Sequence, residues 1–170
     1  MVNEPVQIKA GALVAANGLI HVSGGLCLAI EPHKGKKITA RSSLVVKRCN
    51  ATCKFQQWKF DNDMICAKIK EGIYAKKNWN LCVMSKHIAK DDKTDMVRGE
   101  VGLATVKPGR GWEKIKWAYD YKGQVSPQEA GYGNLVLTWL PKPDALVLRS
   151  DRSEFGFSTF GESPKLDCQA

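Results

Sequence analysis

The chain has 170 residues, of which 44% are hydrophobic and 25% charged, and a formal net charge of +9. That length and apolar content suit one folded domain rather than a disordered tail. No apolar run approaches the roughly 18 residues that a membrane helix needs. Residues 1–118 hold 21 basic against 10 acidic side chains, whereas residues 119–170 hold 5 against 7. The basic part favours an anionic partner, the other reading being a solvated surface that only keeps the protein soluble.

The amino terminus does not read as a signal peptide, because Asn3, Glu4 and Gln7 interrupt any apolar stretch and Lys9 comes late. From Pro32 to Phe60 there is no acidic residue, while Lys34, Lys36, Lys37, Arg41, Lys47, Arg48, Lys54 and Lys59 follow one another. Leu44-Val45-Val46 and Met64-Ile65-Cys66 are short runs bounded by turn residues, as strands are. The segment His87 to Glu100, with Asp91, Asp92, Lys93 and Asp95, reads as an exposed loop; it lacks the glycine and terminal Glu spacing of a calcium loop. Leu135-Val136-Leu137, Leu146-Val147-Leu148 and Glu154 to Phe160 are further strand candidates. Turn signals at Gly24-Gly25, Gly35, Pro108-Gly109, Gly123, Gly131 and Pro141 separate these runs. Many short strands with regular turns predict an all-β barrel or sandwich.

One segment recurs. Phe55-Gln56-Gln57-Trp58-Lys59-Phe60-Asp61 is echoed by Lys114-Ile115-Lys116-Trp117-Ala118-Tyr119-Asp120, and each has a Leu-Cys pair upstream, Leu26-Cys27 and Leu81-Cys82. Leu146-Val147-Leu148 reads as a third relative of those pairs. The recurrence predicts three units within one domain, residues 1–170, at about 12–60, 61–119 and 120–170. The third is divergent or incomplete, since no Gln-x-Trp element follows it. Gln56, Trp58 and Trp117 read as scaffold, because a buried amide must be paired and a buried indole carries a large apolar surface.

The six cysteines, Cys27, Cys49, Cys53, Cys66, Cys82 and Cys168, allow 15 pairings if all are oxidised. Asn50-Ala51-Thr52 is an N-glycosylation acceptor sequence. Together they favour a secreted protein or the extracellular part of a membrane protein. A zinc site from Cys49, Cys53, Cys66 and Cys82 has only one close ligand pair, so disulfides are the preferred reading and no metal or other cofactor is expected.

Gly25-Leu26-Cys27-Leu28, then Leu44 to Asn50 with Cys49, then Gln56-Gln57-Trp58 and Phe60-Asp61-Asn62-Asp63 resemble the ricin-type lectin family. The basic, cysteine-containing version is similar to the Cys-rich lectin domain of mannose-receptor-type proteins. The resemblance implies a β-trefoil fold, carbohydrate binding and a Cys27–Cys49 disulfide. Its galactose-binding members carry an acidic residue two places after the first Cys, where Ala29, Met84 and Arg149 stand in the three units. Their stacking aromatic and their Asn correspond to Lys47 and Phe55. The resemblance therefore implies loss of that neutral-sugar pocket, with positive charge in its place.

The function expected is binding of sulfated or other anionic, heparin-like glycans through Lys47, Arg48, Lys54 and Lys59, with Trp79, Trp112 and Trp139 as aromatic surfaces. The alternative is a non-catalytic protein-interaction module of a larger secreted or receptor protein, one that has lost sugar binding and takes an acidic protein partner. Nucleic acid is disfavoured: Phe55, Trp58 and Phe60 interleave with basic residues, but no nucleic-acid-binding motif accompanies them. An enzyme is not expected, because His21, His33 and His87 are scattered and no catalytic or phosphate-loop motif is present.

Overall fold

The computed structural model describes residues 12–35, 37–90, 97–109, 113–129, 131–150 and 156–161. They form a predominantly β structure of eleven strands and, among the described residues, one short α-helix. Strands β1 (His21–Ser23), β2 (Leu26–Glu31) and β3 (Ser43–Arg48) make an antiparallel sheet, in which β2 and β3 run in register from Leu26↔Arg48 to Glu31↔Ser43. A six-stranded sheet holds β4 (Trp58–Asp61), β5 (Met64–Ala67), β6 (Asn80–Lys90), β7 (Val97–Val106), β10 (Val136–Leu140) and β11 (Ala145–Arg149), in the order β10-β11-β7-β6-β5-β4. Strands β8 (Trp117–Tyr119) and β9 (Val125–Pro127) pair separately.

The same hydrogen bonds occur three times along the chain. Gly18, Asp63 and Gly123 each take a positive φ, at 86°, 63° and 82°. The carbonyl of Gly18 accepts from the Trp58 backbone N–H at 2.9 Å, that of Asp63 from Trp117 at 2.8 Å, and that of Gly123 from Phe160 at 2.7 Å. Two residues after each turn comes a buried aliphatic side chain: Ile20, Ile65 or Val125. Leu28, Val83 and Leu137 follow on β2, β6 and β10, opposite Val46, Leu103 and Leu148 on β3, β7 and β11. All of these lie in one hydrophobic cluster with Trp58, Trp117 and Phe160. Left-handed backbone at the turn is what lets the chain reverse tightly enough to present that carbonyl, and glycine takes it without steric cost. At Gly18 a Cβ would also strike the Gln57 side chain.

Both indoles are buried with their one polar atom satisfied. Trp58 Nε1–H donates to the Leu28 carbonyl at 2.9 Å, and Trp117 Nε1–H to the Val83 carbonyl at 3.0 Å. Each acceptor is the residue after a cysteine, so the Leu-Cys and Trp elements of the first two units meet in the same way. Gln56 is also buried. Its Nε2 donates to the Arg48 carbonyl and its Oε1 accepts from the Asn50 N–H, both at 2.9 Å.

The register changes the reading of the third unit. Leu146-Val147-Leu148 lies in β11, the counterpart of β3 and β7, so it is no relative of Leu26-Cys27. That counterpart is on β10, where Val136 replaces the cysteine, and the residue two places on is Thr138 rather than Arg149. The unit closes on Phe160, whose neighbour Gly161 donates to the His21 carbonyl at 2.6 Å and so joins the last described segment to β1. The expected loop after His87 is shorter than read: His87–Lys90 and Val97–Glu100 extend the β6–β7 hairpin, and Asp91, Asp92, Lys93 and Asp95 lie outside the described residues.

Among the described residues there are two disulfides, Cys27–Cys49 and Cys66–Cys82. The second joins directly opposed residues of β5 and β6. Cys53, a candidate half-cystine by sequence, is a free thiol here; it sits at the start of a single helical turn, Lys54–Gln56, while Cys49 beside it is taken by Cys27. Cys168 lies outside the described residues.

If Phe160 closes the third unit as the indoles close the first two, Phe160→Ala will destabilise the protein by about 3–5 kcal/mol, the range expected for Trp58→Ala. Urea denaturation reads both. A loss below about 0.5 kcal/mol for Phe160→Ala would mark it as surface packing.

Candidate functional site

The chain between β5 and β6 carries the helix α1 (Ile73–Lys76), entered through Gly72 at φ 55°. Tyr74 is the one buried residue of α1, and its hydroxyl lies 2.8 Å from Thr105 Oγ1 of β7. That contact fixes α1 against the sheet and sets where Lys77, Asn78 and Trp79 emerge. Trp79 is half-buried and packs on the edge of the main core.

Four lysines gather here. Lys77 Nζ and Lys107 Nζ lie 5.0 and 5.1 Å from the centroid of the Trp79 ring, at cation–π range. Lys70 Nζ donates to the Trp79 carbonyl and to the side-chain oxygens of Asn78 and Asn80, at 3.2–3.3 Å. Lys59 Nζ, on β4, donates to the same Asn80 oxygen at 3.0 Å. One amide oxygen thus serves two ammonium groups. Burial, and then the charge of Lys59, lower the pKa of Lys70 below its ordinary 10.5. Among the described residues none of these four lysines forms an ion pair. A patch of like charge held together by neutral acceptors is electrostatically incomplete, and an anion would relieve it.

The other basic residues picked out in the sequence are placed differently. Lys47 Nζ lies 3.8 Å from Glu31, and Lys54 pairs with Glu71. Arg48 is exposed at the end of β3. Only Lys59 joins the Trp79 cluster. Trp139 is not a surface aromatic: it is buried, its Nε1–H donates to Asp144 Oδ1 at 2.7 Å, and it stacks on Phe157 with centroids 5.7 Å apart. Trp112 lies outside the described residues. Lys70, Lys77, Lys107 and Asn80 were not singled out by sequence. The run Lys68-x-Lys70 to Lys76-Lys77-Asn78-Trp79 was the signal available for most of them.

His21 Nδ1 lies 3.8 Å from each sulfur of Cys27–Cys49. Those sulfurs are bonded to each other and offer no thiolate to a metal. Cys66 and Cys82 are likewise committed, which removes the ligands of the zinc arrangement weighed above. Asn50 is exposed between Cys49 and Cys53; its Oδ1 accepts from Thr52 N–H at 3.1 Å and from the Thr52 hydroxyl at 2.7 Å.

No family model matches the chain, and no curated protein matches it.

The Lys70 shift has a definite sign. Folding lowers its pKa, so protonated Lys70 opposes the fold, and that cost is lifted as pH rises through the folded-state value toward 10.5. NMR titration followed at the Lys70 Cε carbon should find Lys70 losing its proton below the ordinary 10.5. Adding sulfate should move its midpoint upward, and Lys59→Met should do the same without the anion. Unchanged midpoints in both experiments would remove the electrostatic coupling.

Proposed function

We propose that this protein is a lectin-like binding module, a β-trefoil of three units, that takes sulfated or otherwise anionic glycans at the Trp79 lysine cluster. The threefold recurrence of turn, aliphatic and closing-aromatic positions supports the trefoil reading, with units near 12–60, 61–119 and 120–170 in one domain. The observation that carries the ligand reading is the set Lys59, Lys70, Lys77 and Lys107, unpaired among the described residues, around a half-buried indole. Lysines suit sulfate as mobile point charges, and an indole offers a flat apolar face for a sugar ring. The reading assigns no reaction to the protein. The two disulfides and the exposed Asn50 acceptor support a secreted or extracellular setting, with Asn50 glycosylated.

A second reading, docking of an acidic protein, is favoured by one feature: Ile73 on α1 is 41% exposed six residues before Trp79. An exposed apolar side chain on the same β5–β6 connection as a cationic aromatic patch is the composition of a protein-binding hot spot.

The glycan reading expects retention on a heparin column at about 150 mM salt, falling steeply as salt screens the patch. Replacing Lys59, Lys70, Lys77 and Lys107 together by Ala should weaken heparin-oligosaccharide binding at least about tenfold, or about 1.4 kcal/mol. Lys47→Ala with Lys54→Ala should change it by less than about threefold, because those charges are already paired. No retention of the wild type, or equal loss in both variants, overturns the glycan reading. Capture of an acidic protein that survives glycosidase treatment and requires Ile73 would put the second reading in its place.

A further inference from the structure

The three units differ at the left-handed turn that opens each of them. In the first, Ala15 and Leu19 close a three-residue loop. The Ala15 N–H donates to the Leu19 carbonyl at 2.9 Å, and the Gly18 N–H to the Ala15 carbonyl at 2.8 Å. The third unit repeats the loop: the Asp120 N–H donates to the Gln124 carbonyl and the Gly123 N–H to the Asp120 carbonyl, both at 3.1 Å. A left-handed residue completes such a loop, and Gly18 and Gly123 supply it. In the second unit Asp61 pairs directly with Met64, and Asn62 and Asp63 both take a positive φ, at 51° and 63°.

The residue pairs at these turns are Asn17-Gly18, Asn62-Asp63 and Lys122-Gly123. An asparagine cyclises readily when the next residue has no side chain to obstruct attack by its backbone nitrogen, and glycine alone meets that condition. The second unit has the amide without the glycine, and the third has the glycine without the amide. The first has both, and Asn17-Gly18 is the one Asn-Gly pair in the sequence. Packing keeps that glycine in place, since its φ is 86° and a Cβ would meet Gln57. Asn17 itself is exposed, so water reaches its amide.

We propose that Asn17 is a site of spontaneous covalent modification, converting to aspartate or isoaspartate through a succinimide formed with Gly18. The Gly18 nitrogen attacks Asn17 Cγ; the N–Cγ bond forms and the Cγ–Nδ2 bond breaks. The proton lost by Gly18 leaves with Nδ2 as ammonia. Water, the only co-reactant, then opens the ring at either of its carbonyl carbons. The folded loop slows the first step, because the attacking nitrogen carries the N–H that Ala15 accepts. Ring closure therefore waits for the loop to open, a local event well short of global unfolding. The two products have different consequences. Aspartate leaves the main chain intact and keeps an oxygen for the Leu19 N–H, which Asn17 Oδ1 accepts at 3.3 Å. Isoaspartate adds a methylene to the main chain ahead of Gly18. That displaces the Gly18 carbonyl from the Trp58 N–H, and it turns the Asn17 carbonyl, which accepts from Gln57 Nε2 at 3.0 Å, into a free carboxylate. The chemistry is independent of what the protein binds.

The full chain can be aged at mildly alkaline pH, folded and in concentrated urea, and read by peptide mass mapping with isoaspartate-specific methyl labelling. In urea Asn17 should convert ahead of every other asparagine. In the folded protein its conversion should be at least about tenfold slower, the retardation imposed by a loop that must first open. Asn17→Gln, whose longer side chain closes a ring poorly, should abolish conversion at this position. Lys122→Asn should create a second converting site before Gly123. The isoaspartate form, separated by chromatography, should unfold at lower urea than the unmodified chain, whereas Asn17→Asp should unfold with it. Equal rates in the folded and unfolded chain, another asparagine converting ahead of Asn17 in urea, or an isoaspartate form with the unmodified urea midpoint would each overturn the proposal.

Discussion

The structure depends on one backbone hydrogen bond made three times, from a closing aromatic residue to the carbonyl of a left-handed turn. It ties the start of each unit to its end across a large stretch of sequence: Gly18 to Trp58, Asp63 to Trp117, Gly123 to Phe160. Once that bond is made, the aromatic ring is held over the centre, and the aliphatic residue two places beyond the turn is delivered to the same core. Burying a ring of this size contributes several kcal/mol at about 25 cal/mol per Å². The turn conformation is therefore under a packing constraint as well as a local one. Asp63 shows that a non-glycine residue can satisfy it, at the cost of a left-handed backbone.

Around that common centre the three units differ in what covers them. The first uses a disulfide and a buried amide, the second a disulfide and methionines, the third polar side chains around open space. Covalent links thus sit where the outer layer is filled, and the unit without one among the described residues keeps a cleft. The charged surface follows a different logic. It is built on the long β5–β6 connection, which the second unit has and the first compresses to Gly24-Gly25.

Much of the central scaffold could be read from residue order. The strands at Leu44–Val46 and Met64–Cys66 follow from apolar runs between turns, and the shared role of Trp58 and Trp117 from their matching neighbours. The third unit was harder to read, because Phe160 lacks a preceding Gln and Val136 stands where a cysteine would have marked the strand. Leu146-Val147-Leu148 matched by composition a strand it does not correspond to, since apolar triplets carry no register. The basic stretch from Pro32 to Phe60 is acid-free in sequence, yet Glu31 beside it and Glu71 farther along the chain pair with Lys47 and Lys54. Charge that converges from β4, the β5–β6 connection and the end of β7 is a tertiary fact, and no linear window reports it.

The bond from Gly161 to the His21 carbonyl has a kinetic side. It joins residues near the two extremes of the described chain, so this contact cannot form until almost everything between them is in place. Loop-closure entropy makes such distant pairing slow, and architectures dominated by it fold on the millisecond-to-second scale rather than in microseconds. Until then β1 presents an open edge. An edge left waiting is a template for another chain, so the interval before that contact forms is when mispairing threatens.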